Sequence, residues 1–206
     1  MKTGRFAAIT IAFLLIGHAA VAVNLVTNNS FEVPLLNNPP DWWIQDSIAG
    51  WNTPVQNLGF YNAGIVHSNA FGVAYAADGR QWVWLINTTE PGYVAYQHPI
   101  GTVTSNQDYL VDFAFGANAS AGARQVRVQL FGFDGVSTWT EIAFTNVAGP
   151  EVALTYENKQ VTINTGTSHI GEELYFVFKW QSGEQVLLDN VFVRLPGFLG
   201  SMIVIR

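Results

Sequence analysis

Seven tryptophans and a thin set of polar side chains are the groups in this sequence best suited to chemistry. Trp42 and Trp43 stand together in a polar stretch after Pro39-Pro40, and Trp82 and Trp84 recur at the spacing of a strand. Gln97, Arg127 and Gln129 fall on the polar parities of other alternating runs. Indole rings stack on the C–H faces of sugars, and amide and guanidinium groups meet hydroxyls in a partly dry site. If Val83 and Leu85 face the core, this set predicts a cleft floor that binds carbohydrate. The opposite parity is open for Trp82 and Trp84 and would bury them. Trp42 and Trp43 could instead cap the fold, and Arg127 could pair with a carboxylate across strands. Trp51, after Gly50, and Trp180, in phase with Phe176 and Phe178, are expected in the core.

Catalytic patterns are sparse. His67, His98 and His169 are too widely spaced for a metal-binding H-x-x-x-H or H-E-x-x-H pattern, and no G-x-S-x-G elbow marks a nucleophile. Glycoside hydrolysis needs two carboxylates at a set separation, and fifteen acids offer many accidental pairs. Asp112, on the outward parity of a strand, is the most interesting single acid; a solvated or hydrogen-bonded role is the alternative. There is no cysteine, which excludes a thiol nucleophile, a disulfide framework and Cys-ligated metal. Nine Lys+Arg against fifteen Asp+Glu give a net charge of -6, so a nucleic-acid partner is not expected.

The elements that must position these groups are strands. The 206 residues are 49% hydrophobic and only 12% charged, enough to bury a core. Tyr109, Val111, Phe113 and Phe115 share one parity; so do Val126, Val128 and Leu130, which alternate with Arg127, Gln129 and Phe131. Leu174, Phe176, Phe178 and Trp180 alternate with Tyr175, Val177 and Lys179. Leu187, Val191 and Val193 share a parity that places Asp189 among them. Turn signals such as Asp78-Gly79, Pro91-Gly92, Asp134-Gly135 and Ser182-Gly183 cut the runs apart. Short strands without intervening helices predict one antiparallel β-sandwich or barrel domain over residues 23–195.

The N-terminus reads as an address. Lys2 and Arg5 precede an apolar run, Phe6 to Ile16, too short for a bilayer core of roughly 30 Å. Ala20-Val21-Ala22 fits a signal-peptide cleavage pattern, predicting removal of residues 1–22; an uncleaved anchor or a buried first strand is the alternative. No later run is long enough to predict a membrane span. The apolar segment 196–206 is expected to be a last strand or a tail, and a candidate for contacts between copies.

Ordered along the chain, Asn24-Leu-Val-Thr-Asn-Asn-Ser-Phe-Glu32, Ala49-Gly50-Trp51, Ala77-Asp78-Gly79, Tyr96-Gln97 with Ile100, Tyr109, and Leu187-Leu188-Asp189-Asn190-Val191 resemble the galactose-binding-like jelly roll of secreted carbohydrate-binding modules of the xylanase and cellulase type. The resemblance implies a two-sheet jelly roll of about eight or nine strands with the first and last strands adjacent. It also implies a structural calcium, with Glu32 and Asp189 as the matching acids, although Asn190 stands where the family often has a second acid. The other reading of Glu32 and Asp189 is that they accept backbone N–H bonds at strand ends. The expected function is a secreted, non-catalytic glycan-binding protein, of bacterial exported type. A self-associating surface protein using the tail, and a small glycoside hydrolase, are the alternatives.

Overall fold

The computed structural model describes residues 23–33, 43–45, 49–51, 63–67, 77, 79–86, 91–118 and 120–197. The signal segment, Trp42 and the tail beyond Gly197 lie outside them. The described strands are β1 (Trp43–Gln45), β2 (Ala63–His67), β3 (Gln81–Leu85), β4 (Tyr93–Ala95), β5 (Gly101–Thr102), β6 (Asp108–Ala117), β7 (Arg124–Phe133), β8 (Trp139–Ala148), β9 (Tyr156–Asn164), β10 (Glu173–Gly183) and β11 (Val186–Arg194). They form two antiparallel sheets, one ordered β1-β2-β3-β11-β6-β9 and the other β4-β10-β7-β8, with β5 also paired to β10. No helix occurs among the described residues. The chain is therefore all-β, and of the sandwich and barrel that the alternation allows it is the two-sheet sandwich, as the jelly-roll resemblance implies. The short strands β1, β4 and β5 take the strand total above the expected eight or nine. These strands fall within one compact unit, Ala22–Pro196.

The core forms where the two sheets face. Tyr109, Val111, Phe113 and Phe115 of β6 meet Val126, Val128 and Leu130 of β7 and Leu174, Phe176 and Phe178 of β10 in one buried cluster. Trp51 is its hub. The ring packs on Phe31, Tyr96 and Phe176 with centroids 5.0, 5.4 and 6.2 Å away. Its indole N–H donates to the carbonyls of Thr27 and Asn28, each at 3.2 Å, so burial leaves no polar atom of the ring unmet. Trp180 packs on the edge of the same cluster, as its parity predicts.

The opening segment closes the sandwich by lying along the last strand. Leu25 N–H donates to Val193 O at 2.7 Å, and Val191 N–H donates to Asn29 O at 2.8 Å. Asn24 bridges the two with its side chain, donating to Val191 O and accepting from Val193 N–H. The two ends of the domain are thus side by side.

One expected parity does not hold. Asn190 adopts a left-handed φ of 48°, and the register between β11 and β6 shifts between Asp189 and Phe192. This β-bulge inserts a residue and flips the faces. Val186, Leu188, Val191 and Val193 point into the core, while Leu187 belongs to a separate cluster on the outer face of the six-stranded sheet. Asp189, opposite Ala114 of that cluster, goes with Leu187 and not with Val191.

Replacing Trp51 by alanine removes the hub and the indole donor shared by the Thr27 and Asn28 carbonyls, of which Asn28 keeps the N–H of Phe31. The expected loss is about 3–5 kcal/mol, read as a lower urea midpoint of unfolding.

Candidate functional site

The outer face of β4-β10-β7-β8 gathers most of the remaining aromatic and polar groups. Its rows follow from the register. Tyr93, Lys179, Arg127 and Asn146 align across the strands, then Ala95, Val177, Gln129 and Phe144, then Tyr175, Phe131 and Glu141, and last Glu173, Phe133 and Trp139. Period-two alternation builds this face: while Val126, Val128 and Leu130 enter the core, Arg127, Gln129, Phe131 and Phe133 must point away from it. A register shift opposite Leu130 and Phe131 skips Ile142, which keeps Ala143 against Leu130 and turns Glu141 to the outer row beside Phe131.

Half of the site is an aromatic surface. Tyr93, Phe131 and Tyr175 form an apolar cluster with Ala95 and Val177, and Phe133 and Trp139 pack on it partly exposed. The Trp139 ring stacks on Phe133 at 4.4 Å and 22°, and meets Tyr175 edge-on at 4.7 Å. The hairpin between β7 and β8 holds that stack. Asp134 accepts the N–H groups of Val136, Ser137 and Thr138 at 2.8, 2.9 and 3.0 Å, and Gly135 supplies the positive φ of 78°. Those three bonds to the charged form hold the Asp134 carboxyl well below the usual carboxylate range.

The other half is polar. Gln129 donates through Nε2 to Glu141 Oε2, and Arg127 approaches the same oxygen at 3.8 Å. Arg127 also donates from Nε to Asn146 Oδ1 at 3.1 Å and lies 3.9 Å above the ring of Phe144. Phe144 is 48% exposed. Tyr175 donates its hydroxyl to Glu173 at 2.9 Å; burial, then that hydrogen bond and the negative charge of Glu173, push the phenol up to about 12.

The sequence-predicted residues are not brought to one groove. Arg127 and Gln129 do belong to this face, Arg127 with the carboxylate partner that the alternative reading gave it. Trp82 and Trp84 lie on the opposite side of the molecule: Val83 and Leu85 enter the core, which sends the two indoles to the outer face of the six-stranded sheet. There Trp82 is fully buried, so it offers no open ring for stacking. It lies over Gly116, where an added Cβ would sit 3.0 Å from the ring. Gln97 is exposed in the connection after β4, its backbone N–H donating to Gly50 O. The side chains of Trp42 and Trp43 lie outside the described residues. Asp112 is structural, holding Arg194 at 2.9 Å and Gln160 at 2.5 Å. Trp139, Phe133, Tyr175 and Tyr93 were not singled out as ligand contacts, although Tyr175 lies on the outward parity of its run. Pairing Trp139 with Phe133 needed the hairpin register.

The expected calcium ligands are engaged otherwise among the described residues. Glu32 Oε1 accepts the N–H groups of Arg80 and Gln81 at 2.7 and 2.9 Å, over Gly79. The Phe31 carbonyl accepts the buried Gln81 amide at 2.6 Å. Asp189 Oδ1 accepts the N–H of Asn190 at 2.7 Å. A calcium cage needs six to eight oxygens free to converge. Here backbone N–H donors take one oxygen of each acid, and the described residues hold no group of three or more acidic or histidine side chains around one point. These bonds are the ones expected where both acids accept backbone N–H groups.

No family model matches the sequence, and no curated protein matches it. Solved structures share the fold. A cyclase from Fischerella sp. TAU superposes with a TM-score of 0.61 at 19% identity, over 86% of this chain and 98% of its own. An arabinose-bound GH51 α-L-arabinofuranosidase gives 0.54 at 13% identity, over 85% of this chain and 27% of its own. The CBM22-1 xylan-binding domain of Paenibacillus barcinonensis Xyn10C gives 0.47 at 12% identity, over 86% and 97%. At these identities the likeness of the first two shows the fold alone, a two-sheet jelly-roll sandwich.

The raised Tyr175 phenol sets a pH window. Below pH 10 the folded and unfolded chains both keep the proton and the bond to Glu173 contributes fully; from 10 to about 12 the unfolded chain ionises first, so this contribution falls as pH rises. Tyrosinate absorbance should show one late-titrating tyrosine fewer in Tyr175→Phe, and that variant's stability should fall less steeply over the same window.

Proposed function

We propose that the chain is an exported, non-catalytic glycan-binding jelly roll whose ligand lies on the outer face of β4-β10-β7-β8. One observation carries this reading: an aromatic platform, Trp139 on Phe133 with Tyr175 at its side, is continuous with the hydrogen-bonding cluster of Gln129, Glu141 and Arg127 on a single sheet face. Sugars need both halves, a ring for the C–H face and planar polar groups for hydroxyls. The acids of this face are held by neighbours, Glu141 by Gln129 and Arg127 and Glu173 by Tyr175, which supports positioning over bond cleavage. The leader-like N-terminus supports export, and no helix of the described residues is long and apolar enough to cross a membrane. The apolar tail proposed to join copies lies outside the described residues.

A second reading is favoured by Asp189. The bulge turns this carboxyl to the other outer face, where it is fully buried opposite Ala114, in the cluster of Trp82 and Leu187. A cyclase of the same fold holds (3Z)-3-(1-methyl-2-pyrrolidinylidene)-3H-indole. On this reading a small aromatic ligand meets this face at the partly exposed Trp84, and Asp189 exchanges a proton with it.

Titration of neutral polysaccharides, followed by tryptophan fluorescence, separates the two. The glycan reading predicts saturable binding that Trp139→Ala weakens at least tenfold and Asp189→Asn leaves unchanged. Silence across a broad glycan panel, with binding of the indole compound that is lost in Asp189→Asn, would replace it with the second reading.

A further inference from the structure

We infer that Lys179 and Arg127 form a carboxylate subsite at one end of the face, which takes an acidic side group of a glycan whose uncharged backbone runs over the aromatic platform. The inference rests on the glycan reading and adds a charged group to its ligand.

The backbone register forces the two cations together. Lys179 of β10 is directly opposite Arg127 of β7. Both point outward, because Val126, Val128 and Phe178 on the alternate positions are fully buried in the core. Like charges directly opposite on neighbouring strands destabilise a sheet. A one-residue slip would relieve the repulsion only by exposing that core. An anion held between the two side chains removes it at no cost to the register.

The other cations of the described strands are spent. Lys159 is held by Glu157 and Arg194 by Asp112, and Arg124 is buried among the carbonyls of Ser120, Gly122 and Gln185. Lys179 differs. It is partly exposed, and its ammonium has no hydrogen bond or ion pair among the described residues. Arg127 gives one hydrogen bond, from Nε to Asn146 Oδ1, and its Nη1 stands 3.8 Å from Glu141. The guanidinium N–H groups left over match a planar carboxylate, and Lys179 adds a second positive charge to the same point.

Charge also orients the ligand. Glu141 and Glu173 stand in the rows of Phe131 and Phe133, beside the platform, so the acidic group goes to the other end. Arg127 and Phe133 lie about 20 Å apart along β7, at roughly 3.4 Å per residue. The carboxylate therefore belongs to a sugar well along the chain from the one on Trp139, as a side group of an uncharged backbone. A net charge of -6 gives the molecule no general attraction for acids, so any preference must come from these two groups.

Calorimetry on the mature chain in low salt tests this with glucuronoxylan and a glucuronate-bearing arabinogalactan, each compared with the same polymer after its carboxyl groups are reduced to alcohols. The acidic form should bind about tenfold more tightly than the reduced form, and added salt should shrink the difference. Lys179→Gln should abolish the difference and leave the affinity for the reduced form unchanged. Equal binding of acidic and reduced forms to wild type overturns the inference, a result that needs no variant. A preference that survives in Lys179→Gln overturns it too, and in both cases the glycan reading stands. Binding of none of these polymers would overturn both together.

Discussion

Strand β7 is packed on both of its sides, and the rest of the molecule is arranged around that constraint. Val126, Val128 and Leu130 are fully buried in the sandwich, while Gln129 and Phe131 on the other side are nearly so. A strand that alternates has no freedom to trade these roles. Shifting its register by one residue would drive Arg127 and Gln129 into the core and expose three branched aliphatic side chains. The same backbone pairing that secures the core therefore secures the positions of the polar groups outside. The neighbouring strands obey it too: β10 sends Phe176 and Phe178 inward and Tyr175 and Val177 outward, in register with β7.

The two outer faces differ in what their side chains leave available. On the six-stranded sheet Trp82 is fully covered, Trp84 is partly exposed, and Asp112 is spent on Arg194 and Gln160. On the other sheet Trp139, Phe133 and Phe144 keep exposed ring surface, and a buried carbonyl oxygen is left unmet. Function in a sandwich of this kind depends on such residual valence, because both sheets obey the same packing rules.

Much of the architecture was legible in the sequence. The alternation of Tyr109 to Phe115 and of Val126 to Phe131 carried the two-sheet fold, and the opening Asn24 to Glu32 motif carried the pairing of the chain's ends. Arg127 and Gln129 were legible for the same reason, since parity alone sends them outward. The limits have equally physical causes. Parity fails across a bulge, and Asn190 inserts one, so Asp189 lies on the face opposite to the one that counting by twos gives it. Parity also says which way a side chain points but not what covers it, which is why Trp82 faces outward, one of the two parities the sequence left open, and yet is closed off. The Trp139 platform depends on a hairpin register and a skipped Ile142, neither of which is encoded by any single local pattern.

The central claim is that recognition occurs on the four-strand path β4-β10-β7-β8 and not on the opposite face. The seven tryptophan indole N–H groups report on this directly in a nitrogen–proton NMR titration with a neutral oligosaccharide. The account predicts that the Trp139 resonance, together with the Gln129 side-chain amide, moves in a saturable way while Trp51 and Trp82 stay still. Movement of Trp82 and Trp84 with Trp139 and Gln129 unmoved would contradict it.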